Sequence, residues 1–206
     1  MTVLPLALDP PKNSLDNLEL IEGLIWIPEF LTKTQQRRLR YHIDRSPWQS
    51  PPHLPSHHRQ QCYGWIEKPP SDRSVLHPQR DYLGTLPDWL NGVLRRLEPW
   101  MPQCDQTIAI LTTGEANSRD CLPPGLHLDS TRNFDNAIAT VALSPLEMRF
   151  RRGTREPVKV ELDAGDALVM RDEARYKWLH QVVFDDAIEQ LFLTFRNTKV
   201  GSQRYL

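Results

Sequence analysis

The sequence has no run of about 18 apolar residues, the length a membrane-crossing helix needs, so no segment is expected to span a bilayer. Its first residues, Met1–Asp9, are apolar but carry no basic side chain, which argues against a secretory leader. Cysteine is scarce: Cys62, Cys104 and Cys121 are odd in number and show no CxxC spacing. That excludes a zinc knuckle and a disulfide framework and points to a reducing, cytoplasmic compartment. Neither sign of charge dominates, with 25 Lys and Arg against 26 Asp and Glu and a net charge of -1. A globally basic nucleic-acid-binding surface is therefore excluded. Two local clusters remain, Arg37-Arg38-Arg40 and Arg149-Arg151-Arg152-Arg155, and a solvated face is the ordinary reading of both. There is no internal repeat and no low-complexity segment.

What is present fits one soluble domain with an N-terminal elaboration, at 206 residues, 39% hydrophobic and 25% charged. Residues 1–18 read as a loose arm. Leu24–Ile27 is a short apolar run closed by Pro28, which predicts a strand. Thr32-x-x-Gln35 is a capping box opening a helix to about Ile43. Residues 46–60 lack periodicity and read as a loop, and Tyr63–Ile66 as a second strand. Pro87 starts a helix whose apolar face is Trp89, Leu90, Val93, Leu94 and Leu97, and Pro99 ends it. From residue 107 short apolar runs alternate with turn residues, which predicts a β-sandwich or barrel. The expected class is α+β, with helices and a substrate-recognition region over 19–106 and a β-sandwich core over 107–206.

His-x-Asp followed much later by a second His is the sequence form of a facial metal triad, two imidazoles and a carboxylate on one side of an ion. In a strand, residues i and i+2 project to the same side and converge; in a helix they diverge. The chain holds the dipeptide pattern twice. His42-Ile43-Asp44 ends the capped helix and is a decoy. His127-Leu128-Asp129 follows Pro123-Pro124-Gly125, which breaks a helix, and precedes strand-rich sequence. The only histidine beyond it is His180. Alone, His180 in its apolar run reads as a core histidine; in this order the three read as ligands. Arg196 closes the apolar strand Leu191–Phe195 and either reaches solvent or points inward beside the metal.

These residues resemble the AlkB family of 2-oxoglutarate/iron dioxygenases, and the likeness runs in order over most of the chain. It is carried by Leu24–Leu31, by Tyr63-Gly64-Trp65, by Leu86–Leu90, and by His127-x-Asp129 with His180. Gly165–Met170, Ala174-Arg175-Tyr176-x-Trp178-x-His180 and Leu193-Thr194-Phe195-Arg196 continue it. The resemblance implies a jelly-roll (double-stranded β-helix) core with N-terminal helices packed on it. It implies Fe(II) on His127, Asp129 and His180, with 2-oxoglutarate and O2 as cosubstrates; Mn(II) accepts the same ligands. It implies contacts to 2-oxoglutarate from Arg196, Gln190 and Thr194, and packing of Tyr176 and Trp178 around His180. Tyr63, Trp65 and Arg151 are then candidates for holding an alkylated base and its phosphates, with plain core packing the alternative for the two aromatics.

Three departures from the family pattern stand out. Its first signature arginine falls on Gln190. Counting back from Gly114, its upstream Asn and Tyr fall on Ala109 and Leu111. Glu115–Cys121 looks like an insertion. Thr112, Thr113 or another arginine would have to take over the grip on 2-oxoglutarate. The expected activity is oxidative demethylation or hydroxylation of alkylated nucleobases in DNA or RNA. Two alternatives stay open: a hydroxylase acting on a protein or small molecule, and a non-catalytic binding module with a degenerate cosubstrate site.

Overall fold

The computed structural model of the protein describes residues 18–50, 58–67, 80–113, 125–184 and 188–199. Strand β1 (Leu24–Ile27) leads to helix α1 (Lys33–Arg45). The capping box at its start closes in both directions, Thr32 accepting from the Gln35 backbone and Gln35 from the Thr32 backbone. Strands β2 (His58–Glu67) and β3 (Arg80–Tyr82) follow, then a short 3-10 turn (Asp88–Leu90) running into α2 (Asn91–Leu97). The remaining strands are β4 (Gln106–Thr112), β5 (Phe134–Ala142), β6 (Leu146–Arg151), β7 (Val158–Leu162) and β8 (Ala167–Met170). Helix α3 (Asp172–Tyr176), β9 (Leu179–Val183) and β10 (Gln190–Thr198) complete the chain.

The strands form a seven-stranded sheet in the order β1-β8-β5-β10-β4-β2-β3, faced by a three-stranded sheet, β7-β6-β9. Every pairing among the named strands is antiparallel. This is the expected jelly-roll core. The large sheet draws strands from both sides of the expected division at residues 106 and 107, because β1, β2 and β3 pair into it.

Both faces of the large sheet are covered, which explains the continuous apolar runs of β5, β8 and β10. Along β10, Leu191, Leu193 and Phe195 join Ala109, Leu111, Ala139 and Val141 against the helix residues Leu39, Ile43, Val93 and Leu97. On the opposite face Phe192, Ile138, Ala142, Leu168 and Met170 meet Leu146, Met148 and Phe150 of the small sheet. The site lies in this second layer, between the sheets.

One segment differs from the sequence reading. Strand β2 begins at His58 rather than Tyr63, because its pairing with β4 runs from His58↔Thr112 to Gly64↔Gln106. The polar stretch His58-Arg59-Gln60-Gln61 has weak strand propensity, and pairing with a neighbour overrides it. Gly64 is held at φ +76, where an added Cβ would sit 1.9 Å from the Asp105 carbonyl oxygen, so only glycine fits. Residues 1–17, Cys121 and the apparent insertion Glu115–Cys121 lie outside the described residues.

Candidate metal centre

His127 and His180 face one another across an antiparallel bridge. The His127 backbone N–H donates to the His180 carbonyl at 3.0 Å, and the His180 N–H returns to His127 at 2.9 Å. Directly opposed residues project to the same side of the ladder, so the two imidazole rings stand 4.7 Å apart. Asp129, two residues beyond His127, reaches the same point: its Oδ2 lies 3.3 Å from His180 Nε2. The donor atoms of His127, Asp129 and His180 all lie within 4.8 Å of one another. An ion with bonds of about 2 Å draws its ligands within about 4 Å of each other, so small side-chain rotations close the set.

The histidines are presented in the form a metal needs. His127 Nδ1 lies 3.0 Å from the Gly125 carbonyl, and a proton donated there leaves Nε2 with its lone pair. His180 is buried at 6% exposure. Burial pushes its pKa below the ordinary imidazole value, His127 and Arg196 add to this, and Asp129 only partly opposes it. Burial works to raise the Asp129 carboxyl, but Arg196, His180 and His127 outweigh it and hold the group well below the usual carboxylate range. The centre therefore offers an ionised carboxylate beside a His180 imidazole that burial holds toward its neutral form.

Arg196 points inward, settling the ambiguity in its strand. Its Nη2 pairs with Asp129 Oδ1 at 2.9 Å, and Nη1 lies 3.4 Å from both Thr194 Oγ1 and Gln106 Oε1. Thr194 is buried and its hydroxyl reaches the Ile108 carbonyl at 3.4 Å. A cavity of about 190 Å³ opens beside this cluster, with Thr194, Arg196, His127, Asp129 and His180 in its wall. Ile110, Ile138, Met148, Met170, Phe184 and Phe192 make much of the rest.

The other candidates lie elsewhere. His42 stacks on Trp89 at 5.6 Å, and Asp44 is bound by Arg40 at 2.7 Å, so the helical pair diverges as expected of a decoy. Tyr63 packs edge-on against Trp89 and donates to Gln61 Oε1 at 2.7 Å, on the helix side of the sheet. Trp65 rests against Tyr82 of the neighbouring strand at 4.9 Å. Arg151 alternates with the inward residues Met148 and Phe150, which places it on the outer face of the small sheet. Beside it Arg149 is paired with Glu147 and Arg152 with Glu173, as on a solvated face. Tyr176 is partly exposed, and Trp178 is buried. Ala109 and Leu111 lie in the helix-side core, so the residues of β4 that face the cavity side are Ile108, Ile110 and Thr112.

Two participants escape sequence reasoning. Arg175 is buried at 1% exposure and donates from Nη1 to the Asp129 carbonyl and from Nη2 to the Ser130 carbonyl, both at 3.0 Å. It thus fastens helix α3, just before His180, to the loop carrying Asp129. His58 lines the far end of the cavity, its ring 4.5 Å from Phe184. It sits in sequence without periodicity, and only the strand pairing reveals its direction.

No family model matches the chain. It is 26% identical over 167 residues to the tRNA (carboxymethyluridine(34)-5-O)-methyltransferase alkbh8 of Xenopus tropicalis, covering 78% of this chain and 25% of that protein. It is 25% identical over 197 residues to the Alkylated DNA repair protein ALKBH8 homolog of Arabidopsis thaliana, covering 84% of this chain and 54% of that one. The chain thus spans a quarter to about half the length of these relatives. Its fold matches a 2OG-Fe(II) oxygenase family oxidoreductase from Burkholderia pseudomallei, with TM-score 0.57, 16% identity and 90% of each chain covered. It also matches HygX from Streptomyces hygroscopicus, solved with nickel and 2-oxoglutarate bound, with TM-score 0.56, 12% identity, and 91% of this chain and 88% of that one covered. The fold is that of the 2-oxoglutarate oxygenases, and the likeness to the AlkB group read from the sequence is borne out.

Proposed function

We propose that this chain, a divergent relative of the AlkB-type 2-oxoglutarate/Fe(II) oxygenases, is a dioxygenase that oxidatively demethylates or hydroxylates alkylated nucleobases in DNA or RNA. One observation carries the reading: two imidazoles and a carboxylate converge inside a jelly-roll, next to a cavity and with an arginine on the carboxylate. The donor set fits a divalent iron, which takes this facial triad and keeps its remaining positions open. His127, Asp129 and His180 would hold it. Bound Fe(II), with 2-oxoglutarate and O2, supplies the power to oxidise an unactivated C–H bond.

The protein's own contribution is orientation and exclusion. The Gly125 carbonyl fixes the His127 ring, and Arg196 fixes the Asp129 carboxylate. The apolar wall of Ile110, Ile138, Met148, Met170 and Phe192 keeps water from the reacting group. Oxidation at an N-methyl carbon yields a hemiaminal, which releases formaldehyde and the restored base. The names of the sequence relatives, one bearing tRNA and the other alkylated DNA, support a nucleic-acid substrate over a protein or small molecule. Among the described residues no helix is long and apolar enough to cross a membrane. A reducing, cytoplasmic setting suits the scarce cysteines.

The test is product analysis. Iron-loaded protein given 2-oxoglutarate and methylated single-stranded DNA or RNA should form succinate and formaldehyde together. Succinate without formaldehyde across methylated substrates would replace the nucleobase reading with a hydroxylase. Neither product from metal-loaded protein would leave a binding module.

A further inference from the structure

The two arginine clusters that stand out in the sequence are handled differently by the fold. On the small sheet the cations are matched: Arg149 pairs with Glu147, and Lys159 with both Glu147 and Glu161, while Arg152 next to the sheet pairs with Glu173. On α1 they are not. That helix carries five cations, Lys33, Arg37, Arg38, Arg40 and Arg45, against one carboxylate, Asp44. Arg40 takes Asp44 and also Glu189, both at 2.7 Å. Among the described residues Lys33, Arg37, Arg38 and Arg45 form no ion pair, and all four are exposed. At 3.6 residues per turn they fall with Tyr41 inside an arc of about 140°, and the buried Leu39 and Ile43 point the other way. The arrangement costs the helix. Lys33 occupies the first turn, where the helix dipole favours a carboxylate, and stands four residues from a like charge, Arg37. Midway along the stripe Tyr41 is 53% exposed, with the Arg45 guanidinium over its ring, Cζ 3.6 Å from the centroid. An exposed ring among unpaired cations suits a stacked base between phosphates. An acidic protein would use the charges but not the ring. A membrane would need apolar side chains beside the cations, and the apolar face of α1 is buried.

We propose that the exposed face of α1 is a docking surface for single-stranded nucleic acid, gripping by its phosphates a stretch of strand away from the reacting nucleotide. The choice of partner rests on the nucleic-acid reading above. The surface itself is separate from the metal centre, because α1 packs on the opposite face of the large sheet. The helix is held firmly there. Gln61 of β2 donates to the Ile43 and Ser46 carbonyls at 2.8 and 2.9 Å, and Arg40 ties α1 to Glu189 just ahead of β10. From Lys33 to Arg45 the stripe runs about 18 Å, at about 1.5 Å per residue, a length that spans several phosphates.

The experiment is fluorescence anisotropy of a labelled, unmethylated single-stranded oligonucleotide over a range of salt. Neither metal nor 2-oxoglutarate is added, so the result is independent of the turnover test above: protein that releases no formaldehyde can still bind, and protein that releases it can fail to. For the parent, log affinity should fall linearly with log salt, by about 0.7 for each phosphate engaged. Lys33→Gln, Arg37→Gln and Arg38→Gln together should flatten that slope by about 2, as three contacts are lost. Glutamine sustains a helix as well as lysine or arginine does, so the melting temperature should not fall. Tyr41→Ala should weaken binding about fivefold at unchanged slope, the low end for one stacked base. Arg149→Gln with Arg152→Gln should leave the slope as it was. A parent that does not bind overturns the proposal, as does a parental slope in the triple variant or equal flattening in the Arg149/Arg152 pair. Full competition by polyglutamate, with Tyr41→Ala binding as tightly as the parent, would assign the face to an acidic protein and overturn it too.

Discussion

Arg196 and Asp129 form a buried ion pair, Nη2 to Oδ1 at 2.9 Å, with side chains only 15% and 10% exposed. The same carboxylate turns its other oxygen to His180 Nε2 at 3.3 Å. One side chain would therefore serve as ligand and as counter-charge, with Arg196 holding the oxygen that faces away from His180. Arg196→Met would leave the carboxylate buried without its partner. Partners behind a metal ligand typically account for about 10–100-fold in metal affinity, and a loss of that size is expected here. Competition with a coloured chelator measures it. An unchanged affinity would mean that Arg196 has no part in presenting Asp129.

The ligand assignment separates two identical motifs. His127→Ala, Asp129→Ala and His180→Ala should each abolish stoichiometric binding of Fe(II) or Mn(II), read by elemental analysis after desalting. His42→Ala should leave binding intact, because His42 is committed to Trp89 in a stacked contact at 5.6 Å. Its cost is confined to packing between α1 and the 3-10 turn. Loss of metal in the His42 variant would relocate the centre.

The convergence of His127, Asp129 and His180 was legible in the sequence because strand and helix periodicities differ. His-x-Asp converges in extended chain and diverges at the end of a capped helix, and the capping box marks which is which. The jelly-roll was legible for a similar reason, in the rhythm of apolar runs and turns. Direction across a strand was less so. Counting back from Gly114 selects Ala109 and Leu111, but their partners Leu193 and Leu191 lie in the helix-side core. A shift of one residue moves every side chain to the opposite face, and only the pairing register fixes it. His58 was hidden because nothing in His-Arg-Gln-Gln announces a strand. Arg175 was hidden because its partners are backbone carbonyls of residues 129 and 130, which have no sequence signature.

Cys104 should be chemically quiet. Burial pushes its thiol up to about 11, against weaker opposition from Thr107 and from backbone groups. At pH 8 only about a thousandth of it would be thiolate, the reactive form. Burial raises the Cys62 thiol as well, with Arg196 pulling the other way. Alkylation of folded protein with iodoacetamide, followed by peptide mass spectrometry, should leave Cys104 essentially unmodified until denaturant is added. Rapid labelling of Cys104 in native protein would contradict the packing of β4 against the helices.

Arg175 offers the sharpest test of how the two ligand segments are held together. Its guanidinium bridges the carbonyls of Asp129 and Ser130, while its own backbone belongs to α3, five residues before His180. Burial lowers its pKa, and the nearby Asp129 charge partly restores it, so the arginine is kept at some cost. Arg175→Met removes both donors and leaves two carbonyls without them, which should destabilise the metal-free protein by about 2 kcal/mol. Arg175→Lys keeps the charge but presents a compact ammonium in place of the flat fork that spans both carbonyls. If the residue only stabilises the fold, melting temperature and metal affinity should recover together in the lysine variant. If it positions Asp129 against His180, the lysine variant should regain most of its melting temperature while its metal affinity stays about tenfold weak, the lower end of the range for such supporting contacts. Thermal melts without metal, set beside chelator competition, separate the two cases, and recovery in parallel would reduce Arg175 to a packing residue.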